Sequence, residues 1–151
     1  MSALSLDPRT ARLVQAFEGL RPESLPALMA LYAADARFKD PFNDVRGAAA
    51  IERIFSHMFE VLIAPRFTVT ETVTEGAQAV IVWDFEFLRE AGGTPRRIHG
   101  SSLLRFDTEG RVSLHRDYWD AAEELYEKLP VIGALMRWLR RRLQTPPLGS
   151  A

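Results

Sequence analysis

The sequence predicts an α+β fold in which helices come first along the chain and an antiparallel sheet follows. Apolar residues three and four positions apart, the period of a helix, recur through the first third of the 151 residues. From about residue 67 the apolar period changes to two, which is the spacing of a strand with one buried face. Short turns separate these strands, and helices followed by such a meander predict a curved sheet with helices over one face.

The composition is typical of one globular domain. The chain has a mass of 17.1 kDa, 47% hydrophobic residues, a net charge of −1 and an isoelectric point near 6.3. We expect no nucleic-acid partner, because a nearly neutral chain creates no attractive field for phosphate. The absence of cysteine excludes a disulfide scaffold, a thiolate nucleophile and a cysteine zinc site. No apolar run has the length of a signal peptide or a membrane span, so we predict a cytoplasmic protein.

Three helices are predicted in the N-terminal part. Asp7 and Pro8 mark the start of the first, because Asp caps free N–H groups and proline tolerates the first helical position. The other predicted segments are a helix after Pro22 whose apolar stripe runs from Leu25 to Tyr32, an extended segment over Ala36–Phe42, and a helix over Gly47–Leu62.

Four strands and two further helices follow. The predicted strands are Phe67–Thr74, Gln78–Arg89, Arg96–Phe106 and Arg111–Trp119. The tail is predicted to form helices over Ala121–Lys128, capped by Asp120, and over Val131–Leu143, with a frayed end over Thr145–Ala151. The second of these helices has an apolar stripe and several arginines, which is typical of an amphipathic helix.

The last predicted strand carries the densest group of polar residues. Alternation places Ser113, His115, Asp117 and Trp119 on one face, and Val112, Leu114, Arg116 and Tyr118 on the other. An imidazole and a carboxylate two residues apart on a strand point the same way, so they could relay a proton or hold one water. The alternative is a solvated sheet face with cross-strand ion pairs.

Asp40 is the second candidate for chemistry. It follows Phe38 and precedes Pro41 and Phe42, and apolar surroundings raise a carboxyl pKa, which would suit a general base near neutral pH. The alternative is an Asp that caps the turn before the proline. A metal site formed by Asp40, His115 and Asp117 is a weak hypothesis because the histidine spacing matches no metal signature, so we expect neither a metal nor a cofactor.

Several segments resemble nuclear transport factor 2-like domains, and the SnoaL-like group most closely. The matching segments are Leu31-Tyr-Ala-Ala-Asp-Ala-Arg-Phe-Lys-Asp-Pro-Phe42, Gly47 with Ala50-Ile51, and Gly110-Arg-Val with the strand end Tyr118-Trp-Asp. This superfamily includes steroid isomerases, polyketide cyclases and limonene epoxide hydrolases. The resemblance implies a cone-shaped, curved antiparallel sheet closed by N-terminal helices around a deep apolar pocket. It gives a domain over residues 1–120 and an amphipathic helical extension, 121–151, packed on it.

The resemblance also implies roles for single residues. Asp40 matches the proton-shuttling Asp of the steroid isomerases, whereas Phe17 and Ser102 stand where those enzymes have a Tyr and a protonated Asp in the oxyanion hole. Steroid isomerisation is therefore not favoured. The implied catalytic residues are Asp40, His115 and Asp117, and the implied pocket-lining residues are Phe17, Phe38, Ser102 and Trp119.

Two functions follow from this resemblance. The first is cofactor-independent acid–base chemistry on a hydrophobic small molecule, with isomerisation or cyclisation preferred to hydration or hydrolysis. The second is binding of a hydrophobic ligand without catalysis. The resemblance further implies a homodimer formed through the convex sheet face, and the basic C-terminal helix is a candidate for weak contact with a membrane or a partner.

Overall fold

The computed structural model describes residues 6–124 and 130–143, and the chain divides into two compact units, Met1–Trp119 and Asp120–Ala151. The first unit contains α1 (Pro8–Glu18), a 3-10 turn (Pro22–Ser24), α2 (Leu25–Met29), β1 (Tyr32–Lys39), β2 (Asp44–Arg46), α3 (Ala48–Val61), β3 (Ile63–Glu75), β4 (Gln78–Leu88), β5 (Arg96–Phe106) and β6 (Val112–Trp119). The second unit contains α4 (Ala121–Glu124) and α5 (Pro130–Leu143).

The α+β fold predicted from the sequence is confirmed. In the described residues the sheet has six strands in the order β2-β1-β6-β5-β4-β3. The predicted meander forms β3 to β6, with antiparallel pairing throughout, whereas β1 runs parallel to β6 and makes the sheet mixed. A single apolar core contains residues from α1, α2, α3 and the inner face of the sheet.

The start of α1 follows the sequence prediction closely. The Asp7 carboxylate accepts a hydrogen bond from the backbone N–H of Arg9 at 2.9 Å, and Pro8 occupies the first helical position. Leu13 and Phe17, one turn apart, are buried on the core side of this helix. The cap fixes the first turn, and this orients Phe17 toward the sheet.

The first strand begins earlier than the sequence suggests. The helical stripe was predicted to continue to Tyr32, but α2 ends at Met29 and Tyr32 is the first residue of β1. Similarly, β3 begins at Ile63 instead of Phe67, and its pairing with β4 shifts register between Ile63 and Arg66. Proline is tolerated in a strand at such an irregularity, which explains why Pro65 does not end it.

One face assignment in β6 is wrong. Alternation placed Val112 on the face opposite to that of His115, but its side chain is fully buried, because the pairing of β5 with β6 shifts register between Arg105 and Phe106. The Ser113 hydroxyl, which was predicted to face inward, donates a hydrogen bond to the carbonyl of Arg105 at 3.2 Å. Beyond this irregularity the predicted alternation holds, and His115 is buried.

The second unit is helical where the structure describes it. The Asp120 carboxylate accepts a hydrogen bond from the N–H of Glu123 at 2.9 Å, which confirms the predicted cap of α4. The remainder of the predicted helix Ala121–Lys128, and the predicted frayed end, lie outside the described residues. Within the part of the chain that the structure describes, none of the helices combines the length and the apolar character needed to cross a membrane.

Candidate active site

A continuous chain of hydrogen-bonded side chains crosses the inner face of the sheet. Trp83 Nε1 donates to Ser102 Oγ at 2.9 Å, and Ser102 Oγ donates to Asp117 Oδ1 at 2.5 Å. His115 Nε2 lies 2.7 Å from the same Asp117 oxygen, and His115 Nδ1 lies 2.6 Å from the Tyr32 hydroxyl. The chain therefore connects β4, β5, β6 and β1.

The direction of each hydrogen bond follows from the donors available. An indole N–H only donates, so the Ser102 hydroxyl accepts from Trp83 and its own proton is directed to Asp117. Burial, and then the negative charge of Asp117, raise the pKa of Tyr32 well above its ordinary value, so the phenol keeps its proton. In a neutral imidazole, a Tyr32 proton directed at Nδ1 leaves the His115 proton on Nε2, where it points to Asp117.

The two oxygens of the Asp117 carboxylate have different surroundings. Oδ1 accepts both hydrogen bonds, from Ser102 and from His115. Oδ2 has no hydrogen-bond partner among the described residues, and none of their buried side-chain oxygens lacks a partner, so Oδ2 is accessible to solvent. One oxygen is thus fixed by the protein while the other remains available to a ligand.

Asp117 lies in the wall of a narrow apolar cavity. The polar part of the lining is Ser102, His115 and Asp117, and the rest is Phe17, Phe55, Phe67, Val69, Ile81 and Trp83. The cavity encloses about 300 Å³ when its opening to solvent is included, but only about 20 Å³ is open to the centre of a water molecule. In this conformation it has room for about one water beside the polar groups.

Aromatic rings hold the His115 imidazole in place. Phe38 approaches it edge-on at a centroid distance of 4.8 Å, and Phe17 does so at 5.6 Å. The Tyr32 ring stacks on it at 6.0 Å. Because His115 is 3% exposed and bonded through both nitrogens, its orientation is fixed from every side.

The predicted site residues fall into two groups in the structure. Phe17, Ser102, His115 and Asp117 meet at the cavity, and Phe38 lies directly behind the imidazole. Trp119 is half-buried and packs its ring on Phe42 at 5.6 Å, and it is not part of the cavity lining.

Asp40 is not one of the residues that line the cavity. One of its carboxylate oxygens accepts hydrogen bonds from the backbone N–H groups of Phe42 at 2.7 Å and Asn43 at 2.6 Å, and the Asn43 amide contacts both oxygens at 3.1 Å. These are the contacts of an Asp that caps the turn between β1 and β2. None of the hydrogen bonds of Asp40 links it to His115 or Asp117, and the turn-capping interpretation accounts for them.

Sequence reasoning missed two polar members of the hydrogen-bonded chain, Tyr32 and Trp83. Tyr32 was assigned to a helical stripe, although the two-residue period that starts there would have placed it on a strand. Trp83 was not singled out for a role, and its pairing opposite Gly100 leaves space for the indole to reach Ser102. Within the described part of the chain, no three potential ligand side chains lie close enough to hold a metal ion.

Comparison with known proteins identifies a family and a fold. The model of the SnoaL-like domain family matches residues 12–115. A search of curated proteins finds no match.

Three solved structures illustrate the likeness. A protein with a ketosteroid isomerase-like fold from Catenulispora acidiphila, solved with trimethylamine, is 21% identical, with a TM-score of 0.66 over 78% of this chain and 89% of that one. A candidate SnoaL-like polyketide cyclase from Shewanella putrefaciens is 17% identical, with a TM-score of 0.62 over 78% and 93%. An epoxide hydrolase from M. tuberculosis is 16% identical, with a TM-score of 0.63 over 87% and 93%. At these identities the structures share the fold, and the family match over two thirds of the sequence shows that the chain belongs to the SnoaL-like domain family.

Proposed function

We propose that this protein catalyses cofactor-independent acid–base chemistry on a hydrophobic small molecule, with Asp117 as the group that moves the proton. The observation that carries this proposal is the asymmetry of the carboxylate. Oδ1 is held by Ser102 and His115, whereas Oδ2 has no such partner and belongs to a residue of the cavity wall. A base whose orientation is fixed and whose second oxygen is available meets the geometric requirement for proton transfer.

Isomerisation or cyclisation needs no co-reactant under this proposal. Oδ2 takes a proton from a carbon next to a substrate carbonyl, and the protonated Asp117 returns it to another atom of the same molecule. The Nε2–H of His115 and the Ser102 hydroxyl stabilise the carboxylate at the start and the end of this cycle. Each positioned acid–base group contributes roughly 10²–10⁴-fold to such a reaction.

The walls of the cavity favour an apolar substrate of moderate size. Four aromatic rings and two aliphatic side chains form most of the lining. Because the free space is small, a substrate must displace side chains at the wall, and the half-buried Phe67 and Val69 are the ones with room to move. Displacement of bound water by an apolar ligand also strengthens the polar contacts around Asp117.

The experiment that tests this proposal compares three proteins. Wild type, Asp117→Asn and Asp40→Asn are each incubated with metabolite and lipid extract and followed by untargeted mass spectrometry. Asn keeps an oxygen that accepts from Ser102 and His115, so the first variant is expected to fold while losing the base. A compound consumed by wild type and Asp40→Asn but not by Asp117→Asn supports the proposal; consumption by all three proteins contradicts it.

Isotopes distinguish the reaction classes once a compound is found. In D₂O, isomerisation or cyclisation gives a product of unchanged formula that carries solvent deuterium. In H₂¹⁸O, hydration or hydrolysis gives a product enlarged by one water that carries ¹⁸O. We expect the first result. The second would assign Asp117 to the activation of water and not to the abstraction of a carbon-bound proton.

Ligand binding without catalysis is the second candidate function. It is favoured by Phe17 and Ser102, because these residues do not supply the Tyr and protonated Asp hydrogen-bond donors that stabilise an enolate in the steroid isomerases. This function predicts a compound that is retained equally by wild type and Asp117→Asn and that is unchanged by either.

We also propose that the chain forms a homodimer through the outer face of the sheet. Val73, Val80 and Tyr118 are exposed there, on β3, β4 and β6. Light scattering coupled to size-exclusion chromatography should give about twice the mass of the chain. Val80→Glu, which places a charge on this face, should reduce it to the mass of one chain.

A further inference from the structure

The helix α5 of the second unit carries apolar side chains on one face and three of its four arginines outside that face. Its segment Pro130–Leu143 contains four arginines and no acidic residue. Its large apolar side chains are exposed, with fractions between 37% and 82%: Val131, Ile132, Leu135, Trp138, Leu139 and Leu143. Among the described residues, none covers these apolar groups as a packing partner normally would.

The angular positions of the side chains around the helix axis show which of them share a face. At about 100° per residue, the six apolar side chains share an arc of about 140°, and Arg137, Arg140 and Arg141 lie outside it. Arg142 falls within the apolar arc, and its guanidinium lies 5.2 Å from the centre of the Trp138 ring. Trp and Arg together are typical of the boundary between hydrocarbon and headgroups, where an apolar ring and a charged end are both accommodated.

The positive charge of α5 favours an anionic partner. Arg140 contacts Glu123 of α4 at 3.6 Å, so part of the positive charge is already balanced. Arg141 and Arg142, in the last turn, are exposed and carry the argument. The helix has an apolar face flanked by arginines and contains no carboxylate. It is therefore complementary to a surface with anionic groups on the outside and an apolar layer beneath them.

We propose that α5 binds the surface of an anionic lipid bilayer, lying in its plane with the apolar face toward the acyl chains. Fourteen residues give a helix about 21 Å long, too short for the roughly 30 Å hydrocarbon core of a bilayer. The helix therefore lies along the interface. Lipid binding of this kind places the first unit next to a phase in which hydrophobic molecules are concentrated.

Vesicle binding of the full chain tests the role of charge. The probes are vesicles of phosphatidylcholine alone and vesicles with about a third phosphatidylglycerol. We expect binding to the anionic vesicles, and weaker binding by roughly fivefold for each arginine removed in Arg141→Gln/Arg142→Gln. The control is Arg89→Gln/Arg96→Gln, which removes two exposed arginines of the first unit and should leave binding unchanged. Equal binding to both kinds of vesicle, or an equal loss in both double variants, overturns the proposal.

Single labels test the orientation of the helix. The chain has no cysteine, so Leu135→Cys and Ala134→Cys each accept one environment-sensitive dye, on the apolar arc and outside it. Anionic vesicles should shift the emission of the dye at position 135 to the blue and leave position 134 nearly unchanged. If the emission at 135 is already blue-shifted without vesicles and does not change with them, the chain itself or a second copy covers the face, and the proposal is wrong.

Discussion

The hydroxyl of Tyr32 lies 2.6 Å from Nδ1 of His115, and both side chains are at least 97% buried. The contact joins the first residue of β1 to the middle of β6, the two strands of the parallel pair. In a neutral imidazole this contact favours the tautomer that carries its proton on Nε2. Since Nδ1 accepts the phenol proton, the Nε2 proton is directed to Asp117, and Oδ2 of that residue is left for a ligand.

Tyr32→Phe should remove the hydrogen bond between the Tyr32 hydroxyl and His115 Nδ1 without changing the shape of the core. His115 Nδ1 would then be buried without a partner, which costs about 1–3 kcal/mol. Urea unfolding should show this loss, and ¹⁵N spectra of the imidazole should show a changed Nδ1 resonance. Tyr118→Phe, which removes a hydroxyl from an exposed tyrosine on the outer face, is the matched control and should be within about 0.5 kcal/mol of wild type. Equal stabilities for the two variants would contradict the tautomer argument.

Asp40→Ala should affect stability more than chemistry. The substitution removes the acceptor for two backbone N–H groups and the Asn43 amide in a partly exposed turn, so we expect a loss of about 1 kcal/mol in urea unfolding. Asp40→Asn keeps an acceptor oxygen in the same turn and should lose less. If Asp40→Asn is as stable as wild type but inactive on a substrate found as above, Asp40 has the catalytic role that the family resemblance implies.

Local sequence patterns predicted most of the fold because the elements are defined by local physics. The Asp7 cap and the bounds of β5 depend on residues a few positions apart. The parallel pairing of β1 with β6 could not be predicted in this way. It joins residues about 80 positions apart in the sequence, a distance over which local patterns carry no information. Tyr32 also continues the helical spacing of the apolar residues before it, although it is the first residue of β1.

Local patterns also predicted part of the candidate site. His115, Asp117 and Ser102 follow from alternation and from the family resemblance, since each lies on a regular part of β5 or β6. The role of Trp83 depends on a hydrogen bond across strands, which the sequence does not show, whereas the turn cap at Asp40 was one of the two interpretations that the sequence allowed. Side-chain partners across strands are set by register, and a single irregularity such as the one before Val112 changes them.

Asp84→Asn should reduce stability in a pH-dependent way. Asp84 lies on the outer face of β4, is 7% exposed, and accepts hydrogen bonds from Arg97 and from His99. The Arg97 hydrogen bond, followed by that of His99, lowers the pKa of Asp84. A carboxyl whose pKa is lower in the folded state stabilises the protein above the unfolded value, about 3.9, and loses this contribution as the pH falls through the folded value.

The variant should therefore melt at a lower temperature than wild type at pH 7, and the two melting temperatures should converge as the pH falls below about 4. Glu86→Gln serves as the control, because its partner Arg66 is 3.6 Å away and both side chains are largely exposed. It should change the melting temperature little at either pH. A difference between Asp84→Asn and wild type that is the same at pH 7 and at pH 3 would show that the charge of Asp84 is not the cause.

Gly100→Ala should disturb the cavity through Trp83. A Cβ at Gly100 would lie 2.5 Å from Cη2 and 2.8 Å from Cζ2 of the indole, closer than carbon atoms approach in proteins. The ring must then move, which strains the Trp83–Ser102 hydrogen bond, and overpacking of this kind costs about 1–3 kcal/mol. Trp83→Phe removes the atoms that collide and also the indole donor. In urea unfolding, the double variant Gly100→Ala/Trp83→Phe should therefore lose less stability than the two single variants lose together, by more than about 0.5 kcal/mol. Additive losses would show that Gly100 is not needed to accommodate the indole.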